Sequence, residues 1–318
     1  MTDKIRIATR ESTLALWQAH YVRDGLLAAF PELEVEIVGM TTEGDRNKVS
    51  PLSEIGGKGV FVKELELALF NGEVDIAVHS MKDVPSELPD GLSISAICER
   101  ADPRDAFVST KYKQLVDVPA GGRIGSSSLR RRLQLKAIYP HLKYIELRGN
   151  VGTRLRKLDD GDFEGIILAS AGLNRLGLGE RISEHISPTH CIPSAGQGAV
   201  GIESRSDDKS INELLQSINH KPTELCVRSE RMVTLSLGAT CNLPIAAFAE
   251  LKGDDIHLSS FVSDETGSQV LNVNLSGPIS DAEKIAGEVA DALLSQGAAE
   301  LIQSSVNKSS VNKSPANT

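Results

Sequence analysis

The chain alternates short β-rich apolar runs with helical patterns, and a cluster of small and basic residues sits where one gives way to the other. Ile5–Ala8 and Val35–Met40 read as strands on either side of an amphipathic helix over Thr13–Phe30. A helix over Val60–Phe70 precedes a buried strand at Asp75–Val78. A second series begins near Asp102, with strands at Ala106–Ser109, Arg123–Gly125, Lys143–Leu147 and Gly165–Ala169, the last three followed by helices. This alternation predicts α/β units built on parallel or mixed sheets. Around Ser194–Gly198 the chain becomes glycine-rich and hinge-like, and Val200–Glu203 reads as a strand returning to the first unit. From Pro222 the pattern changes. A helix over Thr223–Leu237, three strands (Ile245–Leu251, Ile256–Val262, Gln269–Leu275) and a helix over Ser280–Leu294 make an α+β module.

The 318 residues are expected to form three domains: 1–99 with 199–220, then 100–198, then 221–303. The tail 304–318 carries a tandem SSVNK repeat and is expected to be disordered. No apolar run approaches the roughly 20 residues that span a bilayer, and the first residues lack a signal-peptide core. Cys98, Cys191, Cys226 and Cys241 lie far apart with no metal-ligand spacing, which points to free thiols in a reducing cytoplasm and to no metal. The net charge of −9 argues against general affinity for nucleic acid or acidic membranes, yet Arg123–Lys157 is strongly basic. A basic segment in an acidic protein indicates a local anion site.

Basic residues recur where a strand hands over to a helix. Gly125–Ser128 leads into Leu129-Arg130-Arg131-Arg132, Leu147–Thr153 carries Arg148 and leads into Arg154, Ile166–Ser170 leads toward Arg175, and Ile5–Thr9 leads into Arg10, Glu11 and Ser12. Helix N-termini present unpaired N–H groups, and arginine adds a planar fork suited to carboxylates. A single arginine run is ordinarily a solvated face. The fourfold recurrence favours one ligand with many carboxylates, and Arg132, facing elsewhere on its helix, is read as structural. The run Asp75–Asp83 has the same layout, with Lys82 and Asp83 after a buried strand. An Asp beside a Lys and near several Arg is expected to stay ionised and to steady a cation or move protons. The alternative there is a surface ion pair, and His79 reads as a structural hydrogen-bonder. Cys98 and Cys226 read as core thiols and Cys191 is ambiguous. Cys241, on a small-residue turn, is the candidate reactive thiol. The polar, glycine-rich segment Thr41–Gly59 reads as a mobile loop and matches no nucleotide P-loop.

These residues resemble the porphobilinogen deaminases. The matching stretches include RIATRES (6–12), LALWQA (14–19), GGKGVFVKE (56–64), DIAVHSMKDVP (75–85), ERADPRDAF (99–107), GSSSLRR (125–131), LRGNVGTRL (147–155), IILASAGLNRLGL (166–178) and AGQGAVGIE (195–203). The resemblance covers about the first 250 residues in order. Two glycines commonly precede the family's cofactor cysteine, whereas Ala239 and Thr240 stand here.

The resemblance implies two α/β domains like those of periplasmic binding proteins, joined by a hinge, with a smaller C-terminal α+β domain. It implies a transferase that condenses four porphobilinogens with loss of ammonia and then releases hydroxymethylbilane, as a cytoplasmic monomer of tetrapyrrole biosynthesis (the haem route among others). It implies a dipyrromethane cofactor on the Cys241 sulfur, with Asp83, Lys82, Ser128, Arg130 and Arg131 around it. Asp83, Lys82, Arg10 and Arg148 are implied as catalytic. Arg10, Ser12, Arg148, Arg154 and Arg175 are implied to bind the acetate and propionate arms, and Lys58 and Phe61 to lie in a lid. The competing classes are a non-catalytic two-lobed binder of polycarboxylate anions, and an RNA binder using Arg123–Lys157. Aromatics are only 4% of the chain and few interleave with those arginines, so base stacking is poorly supplied.

Overall fold

The computed structural model describes residues 3–46, 59–238 and 243–303. The chain opens with β1 (Lys4–Arg10), α1 (Thr13–Ala29), β2 (Glu34–Met40), the one-turn α2 (Glu43–Arg46), α3 (Lys63–Phe70), β3 (Ile76–Ser80) and β4 (Leu92–Ile97). It continues through β5 (Asp105–Val108), β6 (Arg123–Gly125), α4 (Leu129–Ile138), β7 (Lys143–Ile145), α5 (Val151–Asp159), β8 (Gly165–Ala169), α6 (Ser170–Arg175) and β9 (Glu184–Ile186). Then come β10 (Val200–Arg205), α7 (Lys209–Leu215), α8 (Lys221–Ser236), β11 (Ile245–Lys252), β12 (Asp255–Ser263), β13 (Val270–Pro278) and α9 (Ala282–Ser295).

Three sheets result, in the orders β2-β1-β3-β10-β4, β7-β6-β8-β5-β9 and β11-β12-β13. In the first, β1 runs parallel to β2 and β3, and β10 is antiparallel to β3 and β4. The second repeats the scheme, with β6 parallel to β7 and β8 and with β5 antiparallel to β8 and β9. Both central sheets are covered on two faces, which is why β3 and β8 are nearly continuous apolar runs. Ala19, Val22 and Leu26 of α1 pack on Ile5, Ile7, Ile76 and Val78. Leu65, Ala68 and Leu69 of α3 pack on Ala8 and Ala77 from the other side. The third sheet is an antiparallel meander with α8 and α9 against one face. Phe248 and Phe261 of its opposite face meet Leu133 and Ile192 of the second unit.

The expected helix over 60–70 begins only at Lys63. Gly59 takes a left-handed φ of +89°, and the Val62 amide closes a turn onto its carbonyl at 2.9 Å. Of the segment read as a loop, Glu43–Arg46 is a helical turn, and 47–58 lies outside the described residues. The tail from 304, read as disordered, also lies outside them.

The chain leaves the first sheet after β4 and returns at β10, so two segments cross side by side. The Cys98 amide donates to the Val200 carbonyl at 2.9 Å and the Ala101 amide to the Gly198 carbonyl at 3.1 Å. Glycine is required at 196 and 198. Both have positive φ, and a Cβ at 196 would lie 2.6 Å from Met81 Cβ, while one at 198 would lie 2.6 Å from the Ala101 carbonyl oxygen.

Glu230 of α8, fully buried, ties this crossing to the third unit. Its carboxylate accepts from Arg100 at 2.6 and 3.2 Å, from the Gly196 amide at 2.7 Å and from the Ala249 amide at 2.8 Å. Removing one member of a buried pair strands the other and costs about 3–5 kcal/mol. Glu230→Leu is therefore expected to lower unfolding stability by about that amount in denaturant melts; an unchanged midpoint would refute the assignment.

Candidate active site

The site lies where the C-terminal ends of β1 and β3 face those of β6 and β8. Each approach is shaped by a local signal. Ser12 caps α1, its hydroxyl accepting from the Ala15 amide at 3.3 Å. Ser128 caps α4, accepting from the Arg131 amide at 3.4 Å, and Asn150 caps α5, accepting from the Thr153 amide at 2.9 Å. After β3 a single 3₁₀ turn, Met81–Asp83, buries Met81 and carries Lys82 and Asp83 out at the strand end.

An open cavity of about 60 Å³ is lined by Arg10, Ser12, Gln18, Phe61, His79, Ser80 and Asp83, together with apolar residues. Among the described residues Asp83 is the one carboxylate in that lining. The Arg10 guanidinium lies 4.2 Å over the Phe61 ring and donates from Nε to Asp45 at 2.9 Å. Burial disfavours the charged form of Asp45, but its hydrogen bonds from Arg10 and Thr42 and the Arg10 charge outweigh that and hold it below its usual range. The sequence reading missed Asp45. It also missed Gln18, buried and donating to Ser80 Oγ at 2.8 Å. His79 is buried with Nε2 2.9 Å from Glu203, as a structural hydrogen-bonder would be.

Lys82, Arg131, Arg148, Arg154 and Asp83 share one electrostatic neighbourhood. Protein around the half-buried Lys82 ammonium pushes its pKa down to about 8, with Arg131 and Arg154 adding to the fall and Asp83 and Asp105 opposing it. Burial likewise pushes Arg154 down to about 10, helped by Arg131 and Arg148 against the pull of Asp83. Burial first, and neighbouring cations second, thus disfavour the charges on Lys82 and Arg154 more than Asp83 favours them. A ligand bearing several carboxylates offsets that, and the arginine fork matches that group.

The three residues of the arginine run point to different tasks. Arg130, 3% exposed, donates from its two terminal nitrogens to Asp105 at 2.8 Å and to the Ile192 carbonyl inside the second unit, while its buried Nε has no partner among the described residues. Arg131 is held by Asp105 at 2.9 Å and by Gln197 at 3.1 Å, while its charge still reaches Lys82 and Arg154. Arg132 is half-buried, with an Nε that has no partner among the described residues. Asp105 and Gln197, both fully buried, are further residues that the sequence reading did not single out. Arg175 lines a smaller cavity at the floor of the cleft with Ser80, Lys82 and Gly196. Lys58 and Cys241 lie outside the described residues. Among the described residues no group of three His, Cys, Asp or Glu could hold a metal, and no helix is long and apolar enough to cross a membrane.

Fold and site together define a two-lobed α/β protein whose cleft gathers several cations, with a third module attached where the chain crosses between the lobes. Comparison with known proteins narrows the class. A family model described as porphobilinogen deaminase, dipyromethane cofactor binding domain, matches residues 5–213, and one described as porphobilinogen deaminase, C-terminal domain, matches 224–295. The porphobilinogen deaminase of Chromobacterium violaceum is 52% identical over 300 residues, covering 94% of this chain and 97% of its own. The chain belongs to the porphobilinogen deaminase family. Similar solved structures include a putative methionine-binding lipoprotein of Bacillus subtilis (13% identical, TM-score 0.43, covering 70% of this chain and 92% of that one). A nutrient binding protein of Burkholderia cenocepacia bound to methionine is 15% identical, with TM-score 0.43, covering 67% and 91%. Neither similarity bears on what this chain binds.

Cys98 and Cys191 are buried and their thiols are pushed up to about 12, and Cys226 up to about 11, burial being the main cause in each. All three are expected to resist iodoacetamide in the native protein over minutes and to react after denaturation. Rapid native alkylation at any of them, read by peptide mass, would contradict this.

Proposed function

We propose that the cleft carries out the porphobilinogen deaminase reaction with Asp83 at its centre. The protein is a transferase that joins four porphobilinogen units with loss of ammonia and releases hydroxymethylbilane by hydrolysis, using a dipyrromethane cofactor. The observation that carries the residue assignment is the Asp83 carboxylate, which lines the cavity and lies in the field of Lys82 and Arg154, whose charged forms burial and neighbouring cations disfavour.

The cation-crowded cleft fits a group rich in acetate and propionate arms. Lys82, Ser128, Arg131, Arg148 and Arg154 are the residues to hold the cofactor and the growing chain by those arms, with Arg10, Ser12 and Arg175 taking those of the incoming substrate. Arg130 contributes indirectly, fixing Asp105 and through it Arg131. When bound, the dipyrromethane supplies the pyrrole to which the first substrate unit is joined. The Cys241 sulfur is the attachment point in this reading, because the other three thiols are buried and hard to ionise.

The Asp83 carboxylate accepts hydrogen bonds from pyrrole N–H groups and offsets positive charge as ammonia leaves the aminomethyl carbon of the substrate. It would also accept the proton lost from the α-carbon of the attacking pyrrole after the new carbon–carbon bond has formed, the loss that restores that ring's aromaticity. The arginines keep the arms fixed so that the reacting carbons meet. Phe61, stacked under Arg10, covers one wall of the cavity. The three-domain division at 1–99 with 199–220, 100–198 and 221–303 is the arrangement this reading uses, and the cytoplasm is the compartment. A non-catalytic binder of the same fold is disfavoured by the family assignment.

Asp83→Asn is expected to lower kcat about 10²–10⁴-fold, the usual weight of a positioned acid–base group. A near-normal rate would remove Asp83 from the chemistry. Intact mass is expected to show the wild-type chain heavier by two pyrrole units and Cys241→Ala at its sequence mass; an adduct surviving in Cys241→Ala would overturn the attachment point. Arg148→Leu is expected to alter the distribution of bound chain lengths, and an unchanged distribution would refute its role.

Lys82 is charged below its pKa of about 8 and neutral above it, so its hold on a carboxylate weakens as pH rises through about 8. The value of kcat/KM for porphobilinogen is expected to fall there, and Lys82→Arg to move the fall to higher pH. An identical profile in both proteins would rule Lys82 out as the titrating group.

A further inference from the structure

Arg175 closes α6 on the second lobe, yet its guanidinium is held by groups of the first lobe and the hinge. It lies 5.4 Å from the ring centroid of Trp17, on α1, and donates to the Gly198 carbonyl of the return crossing at 2.7 Å. Tyr21, one turn further along α1, stacks on Trp17 with ring centroids 5.4 Å apart and planes within 9°. The Arg175 Nε is buried and has no partner among the described residues. The residue lines the cavity at the cleft floor beside Ser80 and Lys82. A guanidinium held on an indole face and at a carbonyl keeps its Nε donor for an acceptor that the described residues do not provide.

We propose that Trp17 is a positioning residue for Arg175. Its indole face fixes the guanidinium across the lobe boundary so that the unmade Nε hydrogen bond awaits an acetate or propionate arm of the substrate. This rests on the reading that Arg175 binds a ligand carboxylate. Because the two side chains come from different lobes, the stack exists only while α1 and α6 are in contact. Capture of a carboxylate at Arg175 and approach of the lobes therefore favour each other. Trp17 is the only tryptophan of the chain, so its emission reports this contact directly.

The test uses holoenzyme carrying its cofactor. Trp17→Leu keeps apolar bulk but removes the π face, while Trp17→Phe keeps a π face. Trp17→Leu is expected to raise KM for porphobilinogen about tenfold with kcat changed less than about twofold, and Trp17→Phe to stay within about threefold of wild type in KM. Wild-type tryptophan emission is expected to change on adding porphobilinogen, and the emission of Arg175→Leu is not. Wild-type KM in Trp17→Leu, with Arg175→Leu impaired, overturns the positioning role and leaves the reading of Arg175 standing. Wild-type KM in Arg175→Leu overturns both. Should Trp17→Leu fail to fold, the emission comparison decides, and tryptophan emission indifferent to porphobilinogen sinks the proposal.

Discussion

One buried carboxylate holds the three units in register. Glu230 accepts from the outgoing crossing at Arg100, from the returning crossing at Gly196 and from the first strand of the third unit at Ala249. Arg100 adds a donation to the Gln197 carbonyl at 2.8 Å and lies 5.0 Å over Phe248. The pairing is a poor source of net stability, because both charges lose water to make it. Its value is directional. Apolar surfaces such as Leu133 against Phe261 tolerate sliding, whereas a carboxylate with four donors does not.

The same economy of charge explains the cleft. Asp105 satisfies Arg130 and Arg131 within the second unit, and although burial opposes its ionisation, those two arginines and the hydrogen bonds from Arg131 and Gln197 hold its carboxyl far below the usual range. That leaves the nearby Lys82 and Arg154 crowded by other cations, with Asp83 as the acidic neighbour common to both. A cleft neutralised by its own residues would bind a polyanion weakly, since each internal pair would have to be broken first. Keeping the carboxylates scarce and the cations crowded stores binding capacity, while burial and that crowding together disfavour the charged forms of Lys82 and Arg154 in the empty protein.

Much of this was legible along the chain because the signals are local. Strand ends, N-cap residues at 12, 128 and 150 and the glycines at 196 and 198 announce themselves within a few residues of their work, and the family motifs sit on those same positions. The short elements did not announce themselves: β9 spans three residues and α7 seven, too few for a period to stand out. The partners were also hidden. Nothing near Arg130 reveals that its fork turns inward, because Asp105 lies 25 residues away on another strand, and Arg10 meets Asp45 across 35 residues. Successive helical residues point about 100° apart, so a run of three arginines cannot act as one patch. Which of them reaches the cleft is decided by packing.

The contact between Gly196 and Met81 has a mechanical meaning. With no side chain at 196, the returning strand lies directly on the turn whose next two residues are Lys82 and Asp83, and the Met81 amide donates to the Ala199 carbonyl at 3.1 Å. Lys82 and Asp83 are thus mounted beside the crossing that joins the two lobes, so in the proposed reaction the point at which each bond is made is tied to that crossing rather than to the outer walls of the cleft.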